Sequence, residues 1–366
     1  DHTRDFFGVI GADPTNLATT TPALFLTRWV THLSAPTFFL LTGTGAWLRR
    51  GRRGEGGLSR YLLTRGLWLV LLEVTVLRFA MQFNVDYRVT LLTVLWALGW
   101  AMIVLAGLVR LPTWAIAAVG GLLITLHNAF DGVQAAALGA WAPLWTILHA
   151  PGFLLNAPEH TVFLAYPLVP WIGVTAVGYA LGQVYSWPAE RRRALLWRTG
   201  TALTLGFVLL RLINGYGDPR PWSHQATSGY TLLSFLNTTK YPPSLLFLLM
   251  VLGPGLLILA ALDGGTPRWL RPILTFGRVP LFYFLGHFLL IHLLAVAWAA
   301  ARFGTVAGMF QSPSLDRFPI TAPEGWGLAP PQVWLVWLVV VALMYPLCRW
   351  YERIKATHTW WWLSYL

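Results

Sequence analysis

The chain has 366 residues, of which 56% are hydrophobic and only 11% are charged. Soluble domains carry about 25% charged residues, so this composition excludes an ordinary soluble protein and predicts a polytopic helical membrane protein. The formal net charge of +12 comes from arginines spread over short loops, which argues against a nucleic-acid partner.

Nine apolar segments are predicted to span the bilayer as an all-α transmembrane bundle, which forms one domain over residues 1–366. The predicted spans are 24–48, 61–83, 89–109, 113–130, 161–185, 194–214, 243–262, 273–301 and 332–350. The chain opens inside a charged motif without an initiator methionine, so a further N-terminal span is expected to precede Asp1.

Basic residues are distributed unevenly between the two ends of the predicted bundle. One set of alternate loops holds 15 arginines and lysines, and the opposite set holds six. The positive-inside rule therefore predicts that the arginine-rich loops are cytoplasmic and that Asp1 lies on the outer side. We expect a multi-pass protein of a bacterial cytoplasmic membrane, with the lipid bilayer as a partner. A homodimer is one assembly that such a protein can form.

The first five residues contain two carboxylates, a histidine and an arginine. His2 is the best catalytic candidate, because a neutral imidazole can take a proton from a hydroxyl or amine near pH 7. Either Asp1 or Asp5 can orient it, and Arg4, together with Asp5, is a candidate for substrate binding. The alternative is a solvated charge cluster that ends a helix.

Ionisable residues inside the predicted spans are costly in hydrocarbon and usually face the protein interior. Arg28 and His32 lie four residues apart and so share a helix face. Glu73 is predicted to pair with an arginine of its own span, although a proton-carrying role stays open.

His287 lies near the middle of a late span. It either makes a helix–helix hydrogen bond or lines a substrate tunnel. No cysteine or carboxylate completes a metal site around His287 and His292, so no metal is expected.

The polar run 237–244 enters the seventh predicted span through a Pro-Pro pair. Asn237 and Lys240 can present donors to an anionic ligand from this position. A plain helix entrance with a snorkelling lysine is the alternative.

Five stretches resemble the bacterial multispan proteins grouped with the catalytic domain of heparan-alpha-glucosaminide N-acetyltransferase. These stretches are 1–7, 31–45, 166–173, 237–254 and 276–294. The resemblance covers essentially the whole chain. It implies an acyltransferase that moves an acetyl group from cytosolic acetyl-CoA, as donor and co-substrate, to a sugar or glycan acceptor across the membrane.

The resemblance also implies roles for individual residues. The family's catalytic histidine follows the first span, but residues 13–21 contain no histidine, so His2 or His32 would take that role. His287 matches a histidine in a late span of the family. Cytoplasmic arginines, namely Arg49, Arg50 and Arg278, would hold the phosphates of CoA.

A transporter or flippase for an anionic or lipid-linked substrate is the rival hypothesis. Spans interrupted by proline, at Pro36 and Pro280, are compatible with transport. No internal repeat is evident, which favours the enzyme.

Overall fold

The computed structural model describes residues 1–364, without the side chains of residues 52, 53, 55, 361 and 364. This part of the chain is mainly α-helical. The helices are α1 His2–Phe7, α2 Pro22–Thr31, α3 Ser34–Leu72, α4 Arg78–Gln82, α5 Val94–Leu108, α6 Thr113–Leu126, α7 Ala142–Leu148, α8 Leu168–Gly182, α9 Ala189–Ile213, α10 Ser228–Leu236, α11 Leu245–Leu262, α12 Arg271–Arg278, α13 Pro280–Phe303 and α14 Pro330–Thr357.

Within residues 1–364, six helices are long and apolar enough to cross a membrane. They are Thr113–Phe130, Leu168–Ser186, Ala189–Ile213, Leu245–Leu262, Pro280–Phe303 and Pro330–Thr357. The protein is therefore a multi-pass membrane protein. The count of nine spans stays a prediction, because α5 is shorter and α3 carries a charged segment.

Two predicted spans are interrupted next to a proline. Helix α2 ends before α3 begins because Pro36 lacks an N–H and its ring clashes with the carbonyl of His32, one turn earlier. Val279 separates α12 from α13 with φ −131°, since a residue before proline is disfavoured in the helical region. Helix α3 instead continues through the predicted loop 49–60, with a kink at Gly54.

A small sheet replaces the beginning of two predicted spans. Its strands are β1 Val89–Leu92, β2 Gly152–Asn156 and β3 Thr161–Leu164, and β3 pairs parallel with β1 and antiparallel with β2. Open sheet edges are not tolerated in hydrocarbon, because their N–H and C=O groups would lack partners. Within the predicted spans 89–109 and 161–185, only the helical parts, α5 and α8, are therefore suited to the hydrocarbon region.

Glycines bring α3 and α8 into close contact. A Cβ on Gly178 would lie 2.1 Å from the carbonyl oxygen of Leu40, and one on Gly43 would lie 2.0 Å from that of Thr175. The Thr44 hydroxyl uses this proximity and donates to the carbonyl of Gly178 at 2.9 Å. Small residues allow membrane helices to approach in this way.

We expect Gly178→Ala to destabilise the bundle, because α3 and α8 would have to move apart to accommodate the methyl group. Overpacking of a close interface costs about 1–3 kcal/mol. Gly45→Ala is the matched control, since a Cβ at Gly45 meets nothing within 4 Å. Thermal unfolding in detergent should show a lower Tm for Gly178→Ala alone, and equal Tm values would contradict this packing.

The loops 8–21, 83–88, 127–167, 214–244 and 304–329 are joined to one another at one end of the bundle, which we call the loop-rich end. Asn237 donates to the carbonyl of Thr15 at 2.9 Å, and Asn84 donates to that of Phe310 at 3.2 Å. The opposite end carries the ion pairs Arg192–Asp263 and Arg278–Glu352. We call it the arginine-rich end.

Arg211 organises part of the loop-rich end. Its side chain is 1% exposed, and its guanidinium donates to four backbone carbonyls. These carbonyls belong to Phe235, Arg220, Ser234 and Asn237. One buried cation therefore connects the loop after α9 to the end of α10.

Candidate active site

Helix α1 holds the charged N-terminal motif against the loop-rich end of the bundle. Phe6 and Phe7 are buried and anchor it in the core. The indole of Trp326 donates to the carbonyl of Phe6 at 3.0 Å, and the amide of Leu328 donates to that of Phe7 at 2.7 Å. The segment before α14 therefore fixes the position of His2 on α1.

The ionisable residues of α1 form a chain of ion pairs that ends on α2. Arg4 donates to the carboxylates of both Asp1 and Asp5 at 2.8 Å. Arg28 binds the second oxygen of Asp1. The Nδ1 atom of His2 lies 3.7 Å from an Asp5 oxygen. Asp5 is thus the carboxylate beside His2, while Asp1 pairs with the two arginines.

His287 of α13 lies next to His2. The two imidazole centroids are 5.1 Å apart, and the ring of Phe288 lies 4.2 Å from that of His2. The Nδ1 atom of His287 is 3.0 Å from the carbonyl oxygen of Tyr283. Since a carbonyl only accepts, Nδ1 carries the proton and Nε2 keeps the lone pair. The fold thereby brings together two histidines that are 285 positions apart in the sequence.

The surroundings change the acid–base properties of His2 and Asp5. Although the His2 side chain is 39% exposed, desolvation by the surrounding protein lowers its pKa below the ordinary value of 6.5, and the Asp5 carboxylate opposes this only in part. Burial raises the pKa of Asp5, but the interaction with His2 and the charge of Arg4 outweigh it and lower the pKa overall. At neutral pH, His2 is therefore a neutral base beside an ionised carboxylate.

A second group of side chains adjoins the first through Arg28. It contains Tyr166 and Lys240, which are buried, and Tyr241, which is partly buried. The ring centroids of Tyr166 and Tyr241 are 5.1 Å apart, and the Lys240 ammonium lies 5.3 Å from the Tyr241 ring. Sequence patterns assign no role to either tyrosine, although both lie in stretches that carry the family resemblance.

Tyr241 can exchange a proton near neutral pH. Burial raises the pKa of its phenol, but the charges of Lys240 and Arg28, together with interactions with Tyr166, outweigh it and lower the pKa to about 7. Burial also lowers the pKa of Lys240. Together with Arg28, this group therefore supplies two cations and a phenol that can act as an acid.

His32 and Asn237 lie apart from the histidine pair. His32 is 3% exposed and faces Phe247 edge-on, and its Nδ1 has no hydrogen-bond partner in the part of the chain that the structure describes. Its position one turn beyond Arg28 places it deeper in the bundle. Asn237 uses its amide to hold the loop at Thr15, so the structure gives it a role in joining loops.

Glu73 does not pair with an arginine of its own span. Its carboxylate accepts hydrogen bonds from the backbone amides of Thr93, Leu95 and Trp96 and from the Thr93 hydroxyl. It therefore caps the N-terminus of α5, where free amides favour an anion. Across residues 1–364, no three His, Cys, Asp or Glu side chains are grouped so that they could hold a metal.

The arginines predicted to bind CoA lie at the arginine-rich end. The side chain of Arg278 is 63% exposed and pairs with Glu352, and Arg49 lies 4.8 Å from the Tyr61 ring. The charges of Arg49 and Arg65 also act on Lys355 of α14. Lys355 was missed as a candidate, because only the tertiary fold brings it near these arginines, which lie about 290 positions earlier in the sequence.

Comparisons with known proteins agree with the resemblance seen in the sequence. The family model described as heparan-alpha-glucosaminide N-acetyltransferase, catalytic, matches residues 13–210. Comparison with curated proteins and with solved structures finds no match. The matched region includes Arg28, His32 and Tyr166, whereas His2 and His287 lie outside it. Because the model covers more than half of the chain, this protein belongs to the heparan-alpha-glucosaminide N-acetyltransferase catalytic family.

Proposed function

We propose that this protein is a transmembrane acyltransferase that transfers an acetyl group from acetyl-CoA to a sugar or glycan acceptor. The observation that carries the proposal is the pair His2–Asp5 beside His287, in a membrane protein of an acetyltransferase family. A neutral histidine with an adjacent carboxylate is suited to deprotonate an attacking amine or hydroxyl.

In the proposed reaction, the acceptor nitrogen or oxygen attacks the thioester carbonyl carbon, and His2 takes the proton that is lost. The new C–N or C–O bond forms, and the C–S bond to CoA breaks. Arg28 and Lys240, which adjoin the histidine pair, would stabilise the oxyanion. Tyr241, whose pKa is about 7, is suited to give its proton to the departing thiolate.

The orientation of the chain is part of the same proposal. The excess of basic residues supports a cytoplasmic location for the arginine-rich end, in a bacterial inner membrane. CoA would then approach from that end, with its phosphates at Arg49, Lys355 and Arg278. The acceptor would reach His2 from the loop-rich end. One domain over residues 1–366 and a homodimer stay predictions.

A transporter for an anionic or lipid-linked substrate is the second candidate. It is favoured by the helix breaks beside Pro36 and Pro280 and by the π-helical turn Glu73–Leu77 in the same bundle, since discontinuous helices mark many transporter sites.

Acetyl-CoA binding and turnover by the purified full chain test the leading proposal. We expect acetyl-CoA to bind and glucosamine-type acceptors to be acetylated. Absence of any affinity for acetyl-CoA would overturn the acyltransferase. Uptake of an anionic substrate into proteoliposomes, without an acetylated product, would support the transporter instead.

Lys355→Ala is expected to raise the Kd for acetyl-CoA about tenfold, because loss of a charge-assisted phosphate contact costs roughly 1.4 kcal/mol. The affinity for acetyl-pantetheine, which lacks the nucleotide phosphates, should not change. Arg191→Ala is the control, since Arg191 lies at the same end but its guanidinium lies over Trp187. Equal losses for both ligands would contradict phosphate binding at this position.

A further inference from the structure

A cavity of about 290 Å³ lies directly beside Arg4 and Asp5. Ligand pockets commonly measure about 300–1,000 Å³, so its volume suits one sugar or a short chain. Residues of the loop 8–13, the segment before α14 and the helices α2 and α14 surround it. None of the roles proposed above uses this cavity.

The polar and apolar parts of the lining are separated. The polar part consists of Arg4 and Asp5 of the candidate site and of the exposed carboxylates Asp13 and Asp316 in the loops. The part formed by the helices is mostly apolar, and its residues are Leu24, Thr27, Val333 and Trp334. Even Thr27 offers little polarity, because its hydroxyl already donates to the carbonyl of Ala23 at 2.8 Å.

Helices α2 and α14 are also apolar on their outer surfaces. Val30 of α2 is 58% exposed, and Leu335 and Trp337 of α14 are 63% and 50% exposed. In a membrane protein these surfaces contact lipid. The cavity therefore lies between two helices that border the bilayer, with polar groups towards His2 and apolar side chains towards the lipid.

Leu24 connects this apolar wall to the candidate active site. It lies four residues before Arg28 and thus on the same face of α2. Arg28 binds Asp1 at the start of α1, while Leu24 lines the cavity one turn away. A molecule in the cavity can therefore contact the ion pairs of α1 with one end and the wall of α2 and α14 with the other.

A free sugar does not match this lining, because its hydroxyl groups would meet no partners along the two helices, which costs free energy. An alkyl chain loses no hydrogen bonds there and gains from leaving water. The lining is complementary to a molecule with a polar head and an apolar tail.

We propose that the acceptor is a lipid-linked sugar, whose sugar lies at Arg4 and Asp5 and whose apolar tail lies between α2 and α14. This inference rests on the proposed function, since the sugar is the group to be acetylated beside His2. Trp334 lies on the apolar side of the cavity and is the residue that would contact the tail.

Binding of alkyl glucosaminides to the full chain in nanodiscs tests the tail site. The probes are methyl, butyl and octyl glucosaminide below their micelle concentrations, with empty nanodiscs as the correction for partitioning. From methyl to butyl glucosaminide, the Kd is expected to fall about tenfold or more, because each buried methylene increases affinity about two- to fourfold. Trp334→Ala should lose most of this dependence. Trp337→Ala, which changes a second exposed tryptophan of α14 outside the cavity, should keep it.

Three results would overturn the inference: equal Kd values for methyl and octyl glucosaminide, equal losses in Trp334→Ala and Trp337→Ala, or equally tight binding of octylphosphocholine, which has the tail but no sugar.

Turnover with acetyl-CoA separates this inference from the proposed function. Acetylation of glucosamine and octyl glucosaminide with equal KM overturns the tail site and leaves the enzyme. Tail-dependent binding without acetylation overturns the enzyme and leaves the site for a lipid-linked sugar.

Discussion

Replacement of His2 by alanine is expected to lower the kcat of acetyl transfer by about 10²–10⁴-fold, the usual contribution of a positioned general base. The acceptor would then have to lose its proton to water, which is not positioned as His2 is by Asp5 and His287. Because His2 lies at the edge of the core, with a side chain that is 39% exposed, the variant should fold. The measurement is acetylation of glucosamine-type acceptors at saturating acetyl-CoA.

His224→Ala is the matched control, since His224 is an exposed histidine at the same end of the bundle and lies against Trp222. It should retain wild-type turnover. A His2→Ala enzyme with unchanged kcat would refute the role of His2 as the base and would direct attention to His287 or His32.

The pH profile distinguishes a base from a residue that only supports the fold. Activity requires neutral His2, so it should fall as the pH drops through the pKa of this histidine. Because the surroundings lower that pKa from 6.5, the acid limb should lie below pH 6.5. Asp5→Asn removes the carboxylate that opposes the lowering, so the limb should move to still lower pH. A merely structural Asp5 would leave the limb in place.

Arg211→Met is expected to reduce the free energy of unfolding by roughly 3–5 kcal/mol, the cost of removing one partner from a buried charged network. The methionine fills similar volume but removes the guanidinium that donates to four carbonyl oxygens of the loop-rich end. Asp218, 4.0 Å away, also loses its buried cation. The measurement is denaturant or thermal unfolding of the purified protein in detergent.

Two further variants sharpen this test. Arg211→Lys should rescue little, because one ammonium cannot reach four carbonyls that a planar guanidinium contacts together. Arg198→Met, an exposed arginine of the same helix, should unfold like the wild type. If Arg211→Met and Arg198→Met unfolded at the same temperature, the buried network would not stabilise this end of the protein.

The candidate site illustrates how far local sequence information reaches. The charge density of residues 1–5 predicted that His2 was a candidate base, and the residue types alone supported that chemistry. The same sequence left open whether Asp1 or Asp5 accompanies the histidine. Packing decided it, because Arg28 on α2 binds Asp1 and leaves Asp5 beside His2.

Glu73 and the small sheet illustrate where the predictions differ from the structure. A carboxylate in an apolar helix was expected to find an arginine, but the free amides at the start of α5 supply its partners. Residues 89–92 are as apolar as the helix that follows, so hydropathy alone could not separate strand from span. The pairing of β1 with β3, 72 positions further along the chain, is what distinguishes them.

The sequence by itself determined the membrane environment, the helical class, the family and the identity of the candidate base, because these depend on composition, periodicity and short motifs. Tertiary structure alone decided that His2 meets His287, that Lys240 and Tyr241 adjoin Arg28, and that a cavity lies between α2 and α14. Those features depend on contacts between residues far apart in the chain. Such contacts are set by how helices pack around glycines, prolines and buried charges, which no local pattern specifies.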